Sequence, residues 1–105
     1  MKTYTATIYI AGDYQQILST CRKFTIIGAC VSVQQCDYVY TGGMESGAAI
    51  TLIKYPRFPD SAESIFAEAK HLAVKLMKDC CQRSCSIVAT DKTEYLENKE
   101  IKVPR

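Results

Sequence analysis

The chain has 105 residues, of which 48% are apolar and 23% charged, so it fits one globular domain and is too apolar to be disordered. Its 13 basic and 11 acidic residues give a formal charge of +2, which argues against a nucleic acid or an anionic membrane as partner. No signal peptide is visible, and no apolar run reaches the roughly 18 residues that cross a bilayer. We therefore expect a cytoplasmic protein.

The first half of the chain predicts a strand, a helix and a hairpin. Residues 3–11 alternate between apolar and polar side chains, which is typical of a half-buried strand. Asp13 is a natural N-cap for the helix that follows, whose apolar residues recur at helical spacing up to Phe24. Residues 30–40 and 48–55 predict two further strands, which the glycine-rich "TGGMESG" joins as a long hairpin tip.

The second half predicts a helix, a strand and a tail. A wide apolar stripe over residues 65–80 indicates an amphipathic helix, and residues 84–90 read as a fourth strand. We assign residues 1–92 to a single domain and residues 93–105 to a charged C-terminal tail. The order βαββαβ with right-handed crossovers predicts an α+β, ferredoxin-like fold: a four-stranded antiparallel sheet with two helices on one face and the other face uncovered.

The cysteines and the single histidine are the first candidates for chemistry. Cys80, Cys81 and Cys85 lie close in sequence, but there is no Cys-x-x-Cys pair and His71 is the only histidine, whereas structural zinc needs four such ligands. We predict reduced thiols and neither a metal nor a cofactor. Cys81 is the thiol with the greatest expected exposure and His71 the only imidazole, but no third group completes a catalytic set.

Two glycines in "YTGG" raise the possibility of ligand binding through the backbone. Amide groups in a glycine-rich loop can form an anion-binding nest, although a flexible hairpin tip explains the same residues. The stretch matches neither the P-loop nor the dinucleotide fingerprint. The tyrosines of the predicted sheet lack the neighbouring basic residues of an RNA-recognition motif, which again argues against nucleic acid.

The stretch "KYPRFP" predicts a stiff elbow between the third strand and the second helix. Pro56 and Pro59 restrict the residues before them to extended backbone, so the elbow is rigid before anything binds. An arginine beside aromatic side chains is typical of a contact surface, although a simple strand-to-helix joint is the alternative. The candidate binding residues are Tyr40, Thr41, Gly42, Gly43, Tyr55 and Arg57.

These candidates form two groups at opposite ends of the third strand. The separation is about 20 Å at roughly 3.3 Å per residue, so one subunit cannot bring them together. A joint site therefore requires a homodimer. We expect the second copy to cover the open sheet face or an edge strand.

Three blocks carry a resemblance to a known family. "ATIYIAGD", "YVYTGG" and "LIKYPRFP", within residues 4–59, resemble blocks of a family of small, mostly uncharacterised bacteriophage proteins. The resemblance implies no catalytic residue. It implies an accessory phage protein that acts in the host cytoplasm and inhibits or redirects a host factor.

Three functions follow as predictions. The first is a non-enzymatic phage protein for host takeover or anti-defence, which binds a host macromolecule, and a flat apolar sheet face favours it. The alternative is a small-ligand binder that sequesters a nucleotide-like signal, which a pocket rich in amides and cations favours. The third is a small enzyme that uses Cys81 or His71, which a contact between the two side chains favours.

Overall fold

The computed structural model describes residues 4–26, 30–53 and 62–98. The predicted elbow, with Tyr55 and Arg57, lies outside the described residues. The elements in chain order are β1 (Thr5–Ala11), α1 (Tyr14–Thr25), β2 (Val31–Tyr40), β3 (Gly43–Ile53), α2 (Ala62–Asp79), β4 (Ser84–Ala89) and β5 (Thr93–Glu97).

Local chemistry explains where α1 begins. Asp13 has an extended backbone, and its carboxylate accepts a hydrogen bond of 3.0 Å from the backbone N–H of Gln16, as expected of an N-cap. Gly12 precedes it with φ +142°, a conformation that side-chain-bearing residues rarely adopt. The N–H of Gly12 also donates to the carbonyl of Ser46 at 2.9 Å. The chain therefore turns from β1 into α1 while tied to the neighbouring hairpin.

The sheet has five antiparallel strands in the order β2-β3-β1-β4-β5. The predicted α+β class, with an antiparallel sheet and two helices, is confirmed. The prediction of four strands is wrong, because Thr93–Glu97 pairs with β4 as a fifth strand and places Tyr95 opposite Ser86. Glu94 and Glu97 made this segment look like a solvated tail, but charges of this kind also protect an edge strand from further pairing.

The β2–β3 hairpin is longer and its turn tighter than predicted. The two strands pair without a break from Val31–Leu52 to Tyr40–Gly43, so the turn consists of Thr41 and Gly42 alone. Because β1 pairs with β3 only from Gly47 onward, residues 37–46 extend beyond the main sheet as a two-stranded ribbon. We call this segment the tip ribbon.

The core lies on one face of the sheet. Ala6, Ile8 and Ile10 of β1 alternate with half-buried or exposed neighbours and are at most 1% exposed. The same core cluster contains Ile17 and Phe24 of α1 and the apolar stripe of α2, so both helices cover this face. Burying each large apolar side chain contributes about 1.5–3 kcal/mol, which makes this layer the main source of stability.

Helix α2 is amphipathic rather than apolar throughout. Leu72, Ala73 and Leu76 are fully buried, whereas Lys70, His71 and Lys75 are exposed. No helix among the described residues is long and apolar enough to cross a membrane.

Candidate functional site

The candidate site is the sheet face opposite the helices, which we call the open face. Paired residues of neighbouring antiparallel strands lie on the same face, so the register assigns every strand position to one side. Among the described residues, the open face carries two carboxylates, Glu45 and Glu97, and no lysine or arginine. Most of its other side chains are hydroxyl-bearing, aromatic or small, and Gln34, Ile53 and Val88 are the exceptions. It is therefore a weakly acidic, aromatic surface.

Tyr38 lies across β3, where a hydrogen bond fixes its hydroxyl and Gly47 leaves space for its ring. Its hydroxyl donates to the carbonyl of Ala48 at 2.7 Å. A Cβ added at Gly47 would lie 2.7 Å from the Tyr38 ring, so only glycine leaves room for this arrangement. Burial, followed by interactions with the Cys36 side chain, raises the pKa of Tyr38 above its usual range. The phenol therefore stays protonated at physiological pH.

Tyr9, Ser86 and Tyr95 form one row across three strands. Tyr9 of β1 pairs with Ser86 of β4, which in turn pairs with Tyr95 of β5. The two tyrosines are 40% and 61% exposed, so a ligand can reach both side chains. The row places a small side chain between two aromatic ones.

A pair of hydroxyls lies next to this row. Thr7 Oγ1 and Thr51 Oγ1 are 3.1 Å apart across β1 and β3. Each hydroxyl has one proton and two lone pairs, so the pair retains capacity to bind a ligand. The open face therefore offers neutral polar groups beside its aromatic rings.

The predicted residues Tyr40, Thr41, Gly42 and Gly43 lie together at the end of the tip ribbon. Tyr40 is 53% exposed, and its ring lies against Gly43, where an added Cβ would approach to 2.9 Å. The ribbon has no lysine or arginine, so it supplies no cation to an anion nest. Val39 and Met44, on the same ribbon, are 76% and 62% exposed.

The two residues of the predicted small enzyme, His71 and Cys81, are separated. His71 packs edge-to-face against Phe24, with ring centroids 6.1 Å apart, on the exposed side of α2. Cys81 is exposed in the turn after α2 and has φ +54°. The intervening helix spans roughly 12 Å at 1.5 Å per residue, so the two side chains form no catalytic pair.

The cysteines are free thiols, and burial suppresses the reactivity of three of them. Burial raises the pKa of Cys21, Cys80 and Cys85 to about 11, with smaller effects of neighbouring charges on the first two. Few of these thiols are therefore ionised at neutral pH, and the thiolate is the reactive form. Within the described ranges, no three His, Cys, Asp or Glu side chains are grouped so as to hold a metal ion.

This architecture is an α+β fold with a five-stranded antiparallel sheet and two helices. No family model and no curated protein matches the sequence. A solved structure of a phage SAM lyase in complex with S-methyl-5'-thioadenosine matches with a TM-score of 0.66 and 15% identity, over 95% of this chain and 93% of that chain. A phage SAM lyase in the apo state matches with a TM-score of 0.67 and 14% identity, over 94% and 92% of the two chains. At this identity the likeness is one of fold.

The comparison overturns the first functional prediction. We predicted a non-enzymatic protein that binds a host macromolecule, and this is wrong because both structural neighbours are lyases, and therefore enzymes. The alternative, a small-ligand binder, agrees better because one neighbour holds a nucleoside. Neither Tyr9 nor Tyr95 was among the predicted binding residues, and the residues around Tyr95 were assigned to the C-terminal tail.

Proposed function

We propose that the chain is an enzyme that binds S-adenosylmethionine (SAM) and releases methylthioadenosine. The observation that carries this proposal is the fold likeness to a phage SAM lyase over 95% of the chain, with methylthioadenosine bound in that lyase. This proposal keeps the predicted binding of a nucleotide-like small ligand and adds a catalytic activity to it. It needs neither Cys81 nor His71 as a nucleophile.

The charge of the open face supports a sulfonium ligand over a phosphorylated one. SAM has a positive sulfur, which aromatic ring faces and carboxylates attract. The described part of this face offers tyrosines with Glu45 and Glu97 and no lysine or arginine. A nucleotide with several phosphates would meet no compensating cation there. The described part of this face therefore suits an uncharged nucleoside or a sulfonium compound better than a nucleotide with several phosphates.

The proposed reaction breaks the bond between the sulfonium sulfur and the γ-carbon of the amino-acid chain. The bonding electrons stay on sulfur, which becomes the neutral thioether of methylthioadenosine. As this bond breaks, the four-carbon chain either gives a proton from its β-carbon to a water molecule, which leaves an alkene, or is attacked at its γ-carbon by its own carboxylate oxygen, which leaves a lactone. The second route neutralises two opposite charges, so a weakly polar surface favours it.

Direct binding measurements test the ligand class. We expect SAM and methylthioadenosine to bind the full chain in isothermal titration calorimetry, whereas ATP at the same concentrations gives no heat above dilution. The reason is that ATP shares the adenosine group but adds negative charge. Binding of ATP as tight as that of methylthioadenosine, or no binding of either adenosyl sulfur compound, would contradict the proposal.

We also propose a setting and an assembly for this activity. Consumption of SAM removes the methyl donor of host methyltransferases, which fits an anti-defence role for a phage protein in the host cytoplasm. We propose that the chain acts as a homodimer, because Val39, Tyr40 and Met44 expose large apolar side chains on the tip ribbon. In such a dimer, Tyr40–Gly43 of one copy contribute to the site of the other, together with Tyr55 and Arg57.

A further inference from the structure

We infer that Tyr9, Ser86 and Tyr95 form a stacking slot for the adenine ring of the ligand. This inference rests on the proposed function and adds to it the residues that hold the base. The slot is specific to the register of this sheet, because β5 adds the second aromatic wall.

The spacing of the row fits one flat ring between two tyrosines. Directly opposed residues on antiparallel strands have Cα atoms about 4.5–5.5 Å apart, so Tyr9 and Tyr95 are separated by about 10 Å across Ser86. Stacked or offset aromatic rings have centroids about 4.5–7 Å apart. A base between two walls therefore needs about 9–14 Å, which matches the row.

Both tyrosines of the slot are exposed, and the serine between them is small. Side chains stand roughly perpendicular to a sheet, so both tyrosines project from the same face. Tyr9 and Tyr95 are 40% and 61% exposed, and Ser86 between them is half-buried. A serine side chain is too short to fill the space between two flanking aromatic side chains, and its hydroxyl can donate to or accept from the edge of a base. A larger residue at this position would fill the slot.

The surroundings match a neutral base better than a charged group. On the open face Tyr9 is flanked by Ala49 on one side and Ser86 on the other, so no charged side chain of the row contacts it directly. Val88, two residues along β4 on the same face, is 41% exposed and extends the apolar surface. The ribose and sulfur of the ligand can then lie toward Thr7 and Thr51, whose hydroxyls are 3.1 Å apart.

Filling the slot is the sharpest test, and the same strand supplies the control. Ser86→Leu places a bulky side chain between intact tyrosines, whereas Ser84→Leu makes the same change two residues away on the same face of β4. We expect Ser86→Leu to weaken binding of methylthioadenosine by tenfold or more, and Ser84→Leu to bind as the wild type does. The chain has no tryptophan, so quenching of tyrosine emission reports binding alongside calorimetry.

A second pair of variants separates stacking from folding. Tyr95→Ala removes one wall and should weaken binding of methylthioadenosine by roughly 5- to 150-fold, the range for loss of one base–aromatic stack, whereas Tyr95→Phe keeps the ring and should retain the affinity. Wild-type affinity in both Ser86→Leu and Tyr95→Ala would overturn the slot and leave the proposed function standing. Failure of the wild-type chain to bind methylthioadenosine would overturn both.

Discussion

Gly47 is the residue on which the geometry of the open face depends. An added Cβ there would collide with the carbonyl oxygen of Ile10 in β1 and would lie 2.7 Å from the ring of Tyr38. We expect Gly47→Ala to lower the free energy of unfolding by about 1–3 kcal/mol, because backbone and a fixed ring must move. Urea denaturation followed by circular dichroism measures this.

Gly43 is the matched control for this prediction. It lies on the same strand and face, but an added Cβ meets only the Tyr40 ring, which is exposed and free to move away. Gly43→Ala should therefore change the free energy of unfolding much less. An equal loss in the two variants would mean that the close approach at Gly47 does not matter.

A buried phenol and a buried thiol make the free energy of unfolding depend on pH in the alkaline range. Burial, then a hydrogen bond of 2.9 Å to Asp91 and the charge of that carboxylate, raises the pKa of Tyr4 from 10.0 to about 12. Burial raises the pKa of Cys85 from 9.0 to about 11. The unfolded chain loses these protons at lower pH than the folded chain. The stabilisation is therefore complete below pH 9.0 and is lost as the pH rises through about 11 and 12.

Urea unfolding measured at intervals from pH 8 to pH 12 tests whether the free energy of unfolding falls as the pH rises. We expect the free energy of unfolding to fall steadily above about pH 9, and to fall less above pH 10 in Tyr4→Phe, which removes one of the ionising groups. A free energy of unfolding that stays constant up to pH 12 would contradict the buried, protonated state of these side chains.

At the scale of elements, the sequence was informative where periodicity was strong. The alternation in β1, the cap at Asp13 and the apolar stripe of α2 were sufficient to predict one strand and both helices. β5 was missed because it has only five residues, of which Glu94 and Glu97 are charged, so neither its length nor its polarity differs from a tail. The β3 part of the tip ribbon was predicted as a loop because Gly43, Glu45 and Gly47 interrupt the apolar pattern.

The tip ribbon carries the prediction that belongs to this scale. A two-stranded hairpin is marginal by itself in water, yet this one exposes Val39 and Met44. We expect the wild-type chain to be a dimer in multi-angle light scattering at tens of micromolar, and Val39→Lys with Met44→Lys to yield a monomer that keeps the circular dichroism spectrum of the wild type. Val88→Lys with Val74→Lys, which changes exposed apolar residues elsewhere, is the control.

The light-scattering result shows whether the tip ribbon is the dimer contact. A monomeric wild type, or a dimer that persists after both substitutions in the tip ribbon, would exclude the ribbon as the dimer contact. Dissociation by the control pair alone would assign the contact to another surface.

At the scale of the whole molecule, the order of elements was sufficient to predict the fold class, whereas the activity was not predictable. The open face draws its aromatic and hydroxyl groups from all five strands, so no contiguous stretch of sequence contains the site. Tyr9 and Tyr95 lie near opposite ends of the chain and are joined in one row only by the pairing of β4 with both β1 and β5. The motif "YTGG" led instead to the prediction of binding residues at the end of the tip ribbon.

The most direct test of the central claim is turnover of SAM labelled with carbon-13 in its amino-acid chain. We expect the purified full chain to release methylthioadenosine and a labelled four-carbon product in equal amounts, as measured by mass spectrometry, at a rate proportional to protein concentration and well above that of heat-denatured protein. The mass of the labelled product is the same for an alkene and a lactone, and its NMR spectrum distinguishes them. Release of methylthioadenosine no faster than in the heat-denatured control would contradict the account.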